Sequence, residues 1–130
     1  MNLQECHAFS GVSVNDITAA KNFYGSILGF TLEEENFMGG GMFGFTLGTG
    51  GKIFVYQKDD HQPATYTVLN FPVDNIDVVV DDLTAKGVVF ELYDGFMQDE
   101  KGIARSSDQN PGPNIAWFTD PAGNILSVLQ

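Results

Sequence analysis

Cysteine and positive charge are what this 130-residue chain has least of. The single cysteine, Cys6, leaves no intrachain disulfide framework and no CxxC metal or redox motif. Only 6 lysines and arginines stand against 17 aspartates and glutamates, for a formal net charge of −11. One arginine, Arg105, and scattered lysines offer a phosphate backbone no electrostatic footprint, so nucleic acid is excluded as a partner class. The same sign repels an anionic membrane surface. No run approaches the ~20 consecutive apolar residues of a membrane helix. The opening Met1–Phe9 has neither a basic nor a long apolar segment, and the expected location is the cytoplasm.

What is present suffices for a core. Hydrophobic residues make up 43% of the chain, with 11 Phe, 4 Tyr and 1 Trp. The length fits one domain of roughly 100–150 residues or two small repeated halves. The carboxylate excess reads first as a solubility device. By sign, it favours a small cation or a neutral molecule as partner.

Along the chain, Val12 and Val14 alternate with Gly11 and Ser13 in strand fashion over Ala8–Val14. Asn15 or Asp16 can cap a helix whose Ile17, Ala20, Phe23, Tyr24, Ile27 and Leu28 form one apolar stripe, stopped at Gly29. Phe30–Glu34, Met42–Leu47 and Lys52–Gln57 read as strands, with turns at Gly39–Gly41 and Gly48–Gly51. Lys58–Thr65 is a polar linker in which His61 is expected to face solvent. The order then repeats. Tyr66–Val73 is a strand, with Pro72 pointing to an edge position. Asp74 or Asn75 caps a helix carrying Ile76, Val79, Val80 and Leu83, ended by Gly87, and Val88–Leu92 is a strand. The connection Tyr93–Pro113 is long; Asn114–Thr119 and Asn124–Leu129 are the last strands.

Val14-Asn15-Asp16-Ile17 matches Val73-Asp74-Asn75-Ile76, Leu28-Gly29-Phe30 matches Lys86-Gly87-Val88, and Gly51-Lys52-Ile53-Phe54 matches Gly123-Asn124-Ile125-Leu126. A duplicated βαβββ unit accounts for all three. The expectation is an α+β fold in one domain: module one over about 5–57, linker 58–65, module two over about 66–130. Each module is a half-cup mixed sheet with its helix on the convex side, and two half-cups enclose a concave pocket.

Val14-Asn15-Asp16, Phe23-Tyr24, Leu28-Gly29-Phe30 and the closing Asp120-Pro121-Ala122-Gly123-Asn124 together resemble the vicinal oxygen chelate superfamily, which includes glyoxalase I, extradiol dioxygenases and bleomycin-resistance proteins. In its metal-dependent members, oxygen and nitrogen ligands project from four strands into the cup. The resemblance places those positions at Phe9, Val55, Val68 and Ser127, which offer one hydroxyl between them. It therefore implies no metal and no other cofactor. His7 shares the strand parity of Phe9 and is the one candidate ligand outside that set.

Strand alternation places Phe9, Gly11, Val55, Gln57, Val68, Asn70 and Ser127 in the cup; Trp117 is either a wall of it or a core filler. Such a lining suits a small organic molecule, cationic or aromatic. On the long connection, Arg105 is placed to clamp an anionic group and Asp99 or Glu100 to meet an amine or accept a proton; the alternative is surface ion pairing. Two functions follow from the resemblance: a metal-free binding protein of the bleomycin-resistance kind, or a lyase, isomerase or dioxygenase. The resemblance also implies a homodimer.

Overall fold

The computed structural model describes residues 1–37, 40–48 and 50–130. They form two compact units, Met1–Gln62 and Pro63–Gln130, divided inside the expected linker.

In the first unit, β1 (Ser10–Val14) leads into α1 (Ile17–Lys21), which continues as a π-helical turn over Asn22–Ile27. Asp16 is the N-cap: its carboxylate accepts from the Thr18 and Ala19 amides at 3.0 and 3.1 Å, which stabilises the helix by about 1 kcal/mol. The strands β2 (Glu33–Phe37), β3 (Gly40–Thr46) and β4 (Lys52–Gln57) follow, and the sheet order is β1-β4-β3-β2 with β1 parallel to β4. Part of the expected turn at Gly39–Gly41, and residue 49 of the next one, lie outside the described residues. Val12, Val14, Phe43, Phe45, Ile53 and Val55 are buried with Ala20, Phe23 and Tyr24. Tyr24 has no exposed surface, and its ring stacks on Phe45 at 5.7 Å. Each such large side chain contributes about 1.5–3 kcal/mol through removal from water.

The second unit repeats the pattern with β5 (Thr67–Pro72), α2 (Ile76–Ala85), β6 (Ile115–Thr119) and β7 (Ile125–Leu129), in sheet order β5-β7-β6. Pro72 lies on an edge strand, where its missing N–H costs no ladder bond. Gly87, at φ 96°, ends the segment after α2 in a conformation that favours glycine. Leu69, Ile76, Val80, Val88, Ile103, Ala116, Phe118, Leu126 and Val128 are buried.

One expected strand, Val88–Leu92, is irregular instead. The Gln98 side chain explains why. Its amide oxygen accepts from the Tyr93 amide at 2.8 Å, while its nitrogen donates to the Glu91 and Gly102 carbonyls at 2.8 Å each. These backbone groups are satisfied by one side chain, so the segment needs no continuous ladder. A single backbone bond from the Glu91 amide to the Trp117 carbonyl, 2.8 Å, tethers it to β6.

The turn between β6 and β7 is built on Asp120, which is 3% exposed. Its Oδ1 accepts from the Ala122 and Asn124 amides, both at 2.9 Å, and its Oδ2 accepts from the Asn124 side-chain nitrogen at 2.9 Å. Gly123 takes φ 86°. The Asp-Pro-Ala-Gly-Asn sequence is therefore a self-capped turn that fixes the pairing of the strands on either side. No helix among the described residues is long and apolar enough to cross a membrane.

Candidate functional site: an aromatic hollow on the second sheet

Register decides which side chains share a face. In the second unit, Asn70 and Trp117 both pair with Ser127, and Thr67 and Thr119 both pair with Ile125. These residues lie on the face opposite Leu126 and Val128, which are buried. Over part of this face sits a hollow of about 330 Å³ lined by Thr65, Tyr66, Thr67, Tyr93, Phe96, Trp117 and Ile125. Three rings meet there edge to face or tilted: Tyr93 and Trp117 at 5.6 Å, Phe96 and Trp117 at 5.0 Å, Tyr93 and Phe96 at 6.4 Å. Tyr66 and Phe96 are 68% and 53% exposed, so they present ring surface to solvent. Burial, and then the Glu91 carboxylate, push the Tyr93 phenol above its ordinary value.

Deeper on the same face, Ser127 has no exposed surface and donates its hydroxyl to Asn70 Oδ1 at 2.7 Å. Val68 falls at an irregularity between Thr67 and Leu69, where β5 carries an extra residue, and is half-buried. Tyr66, Tyr93 and Phe96 were absent from the sequence-derived lining. Phe96 and Tyr93 both fall in the connection Tyr93–Pro113, of which the sequence shows only the length.

In the first unit the expected lining needs correction. Gly11 pairs with Phe54 and Ser13 with Tyr56, whereas Val55 pairs with Val12 and Gln57 with Val14. Val55 and Gln57 thus lie on the opposite face from Gly11 and Ser13. Val55 is fully buried, and Gln57 Oε1 accepts from the Ile17 amide at 3.0 Å, serving the start of α1. The face of Gly11 carries Phe54, whose ring meets the 67% exposed Phe9 edge to face at 5.0 Å, with Lys52 Nζ 5.1 Å from the Phe54 centroid. His61 is half-buried, contrary to expectation, and its Nδ1 lies 2.6 Å from Ser13 Oγ.

The long connection is held to α2 by ion pairs. Arg105 donates to both carboxylate oxygens of Asp77, at 2.9 and 2.7 Å, and to Asp99 at 3.0 Å. Lys101 bridges Asp77 and Asp81 at 3.3 and 3.0 Å. Asp99 Oδ1 also accepts from the Lys101 and Ile103 amides, both at 2.9 Å, in a local turn. The Arg105 guanidinium, with Lys101 beside it, holds the Asp77 carboxyl well below the usual carboxylate range. Arg105 and Asp99 are therefore engaged in fastening the connection. Glu100 is exposed and lines a separate hollow with Asp81, Val88 and Phe90. His7 is exposed near the N-terminus.

The donor chemistry does not fit a resident metal. With the register corrected, Phe54 replaces Val55 among the positions that the resemblance assigns to ligands, and the one hydroxyl among them, that of Ser127, is bonded to Asn70. Among the described residues no group of three or more His, Cys, Asp or Glu side chains gathers to hold an ion.

Two sheets of repeated topology, each with a helix on one face and its strand order running edge, last, middle, define a tandem-module α+β protein. The sequence matches the model of the Glyoxalase/Bleomycin resistance protein/Dioxygenase superfamily over residues 7–128, and the chain belongs to that superfamily. The structure is similar to a glyoxalase family protein from Enterococcus faecalis, with 23% identity, TM-score 0.71 and complete coverage of both chains. It is also similar to TnmS3, an antibiotic binding protein from Streptomyces sp. CB03234, with 23% identity, TM-score 0.66 and 97% of each chain covered. A third similar structure is the fosfomycin resistance protein FosX from Listeria monocytogenes, with 15% identity, TM-score 0.69, and 96% of this chain and 92% of that one covered. No curated protein matches the sequence.

Proposed function

We propose that this protein binds a small, planar organic cation in the aromatic hollow of its second unit, without a catalytic metal. The observation that carries the reading is the ring cluster of Tyr93, Phe96 and Trp117 around a cavity of about 330 Å³, with Tyr66 at its margin. That volume is at the lower end of organic-ligand sites, roughly 300–1,000 Å³. Ring faces attract a cation by about 0.5–2 kcal/mol each, depending on how dry the contact is. The net charge of −11 adds long-range attraction of the same sign. Thr65 and Thr67 supply hydroxyls for orientation. The antibiotic-binding relative supports sequestration as the use of such a site. A lyase, isomerase or dioxygenase remains the competing class, but no donor set among the described residues favours it.

The same reading makes the protein a cytoplasmic homodimer. The free, exposed Cys6 suits a reducing compartment. The exposed Val89, Leu92 and Met97 supply apolar area for pairing.

A thermal-shift series of cationic antibiotics, aromatic diols, thiol conjugates and divalent metals tests the proposal. At 100-fold excess over Kd, a bound ligand adds about 2.7 kcal/mol to stability. Planar cations should raise the melting temperature and perturb the fluorescence of Trp117, the sole tryptophan. Phe96→Ala should weaken binding about 2- to 30-fold, corresponding to one lost ring. Stabilisation by divalent metals alone, or binding indifferent to Phe96→Ala and Trp117→Phe, sinks the reading.

A further inference from the structure

A second constellation lies wholly within the first unit. Ser13 is on β1, on the face away from the buried Val12 and Val14. The chain after β4 is drawn back to it, because the Lys58 amide donates to the Val14 carbonyl at 2.9 Å and the His61 amide donates to the Lys58 carbonyl at 3.1 Å. That fold-back sets His61 Nδ1 2.6 Å from Ser13 Oγ, with both side chains half-buried. Beside Ser13 opens a cavity of about 450 Å³ lined by Ser13, Tyr56, Lys58, Asp60 and Gln62. The hydrogen bond and charge of Asp60 raise the pKa of Lys58 above its ordinary value, so Lys58 stays cationic there.

We propose that Ser13 is a nucleophile with His61 as its general base, and that the cavity accepts small polar esters. Nucleophile and base are at the lower end of the roughly 2.6–3.2 Å separation that proton transfer needs. The residues are 48 apart in sequence, and the backbone bonds around Lys58 hold them together. The reacting hydroxyl also borders a cavity large enough for a small acyl compound, with an ammonium and a phenol in its wall.

The chemistry balances without a metal or oxidant. In the tautomer with its proton on Nε2, His61 accepts the Ser13 hydroxyl proton at Nδ1 as Oγ bonds to the acyl carbon. The carbonyl π pair moves onto oxygen, in a cavity whose wall carries Tyr56 and the Lys58 ammonium, the latter paired with Asp60. Collapse re-forms the carbonyl and breaks the bond to the leaving alkoxide, which takes the proton from imidazolium. Water then attacks the acyl-serine with the same base, releasing the acid and restoring Ser13. One water and one ester give one acid and one alcohol.

An alkyl fluorophosphonate, which phosphonylates activated serines with loss of fluoride, is the direct probe. Intact mass should show one adduct per chain, and peptide fragmentation should place it on Ser13 rather than Ser10. His61→Gln should slow the labelling about 100-fold or more. Ser13→Ala should abolish both the adduct and the release of nitrophenolate from p-nitrophenyl acetate, with melting temperature and circular dichroism confirming that each variant folds. The wild-type protein alone can refute the idea: no adduct under conditions that modify trypsin, or an adduct elsewhere, overturns it. Equal labelling of wild type and His61→Gln, or ester hydrolysis surviving in Ser13→Ala, overturns it as well.

Discussion

Removing the Asp120 carboxylate should melt the protein far more than a surface turn substitution would. Asp120 is 3% exposed and receives three hydrogen bonds at 2.9 Å, two from backbone amides and one from the Asn124 side chain. Bonds to a charged acceptor contribute roughly 1.5–3 kcal/mol each. Asp120→Ala forfeits all three and strands the donors, while relieving the desolvation of the carboxylate itself. The net loss is about 3–5 kcal/mol. With an unfolding entropy near 2.1 cal/mol/K per residue over the whole chain, that is a fall of roughly 11–18 °C in Tm by scanning calorimetry. Asp120→Asn separates geometry from charge. Its Oδ1 still accepts from the Ala122 and Asn124 amides, but its nitrogen faces the Asn124 side-chain nitrogen, so about half the loss is expected. A fall under about 3 °C for Asp120→Ala would refute the reasoning, as would equal damage from both substitutions.

Arg105→Ala should uncouple the long connection from α2, read as faster amide exchange across residues 99–106, and its effect should depend on pH. Because Asp77 has its carboxyl pKa lowered by Arg105, the link is at full strength above the ordinary carboxylate value of about 4 and is lost as pH falls towards the depressed one. Urea midpoints of wild type and variant should therefore converge in acid; a constant gap from pH 7 down to strong acid would contradict this. Gly102→Ala should lower the urea midpoint by the equivalent of about 2–4 kcal/mol. Gly102 has φ +89°, and an added Cβ would lie 2.9 Å from the Phe90 Cβ. An unchanged midpoint would show that this corner yields freely.

The helix caps, the edge position of Pro72 and the bounds of β4 were legible because they rest on local chemistry that neighbouring residues settle among themselves. The face of β4 was not. The repeat aligns through Gly51 and Gly123, yet of the two adjacent glycines before β4 the one with a left-handed backbone is Gly50, at φ 98°, against 86° for Gly123. With two adjacent glycines the sequence alone does not say which one turns the chain, and a shift of one residue sends every side chain of a strand to the other face. Phe54, not Val55, is thus the counterpart of Ser127. Gln98 misled in a different way: nothing in a sequence marks a side-chain amide that will replace part of a strand ladder. The hollow was hidden for a related reason, since Tyr93 and Phe96 meet Trp117 from an irregular connection whose Tyr93 amide is held by that side chain. Ser13 and His61 are joined by a fold-back that no spacing rule announces.

The ion pairs have a consequence for how copies of the protein meet. Lys21, Lys52, Lys58, Lys101 and Arg105, five of the six basic side chains, each lie against a carboxylate of their own chain. Little positive charge is left to attract the acidic surface of a neighbour. Encounters between copies are governed by repulsion whose range is the Debye length, about 30 Å at 0.01 M salt and 8 Å at 0.15 M. Self-association should therefore tighten as ionic strength rises, the reverse of an interface built on opposite charges, and sedimentation across a salt series would show it.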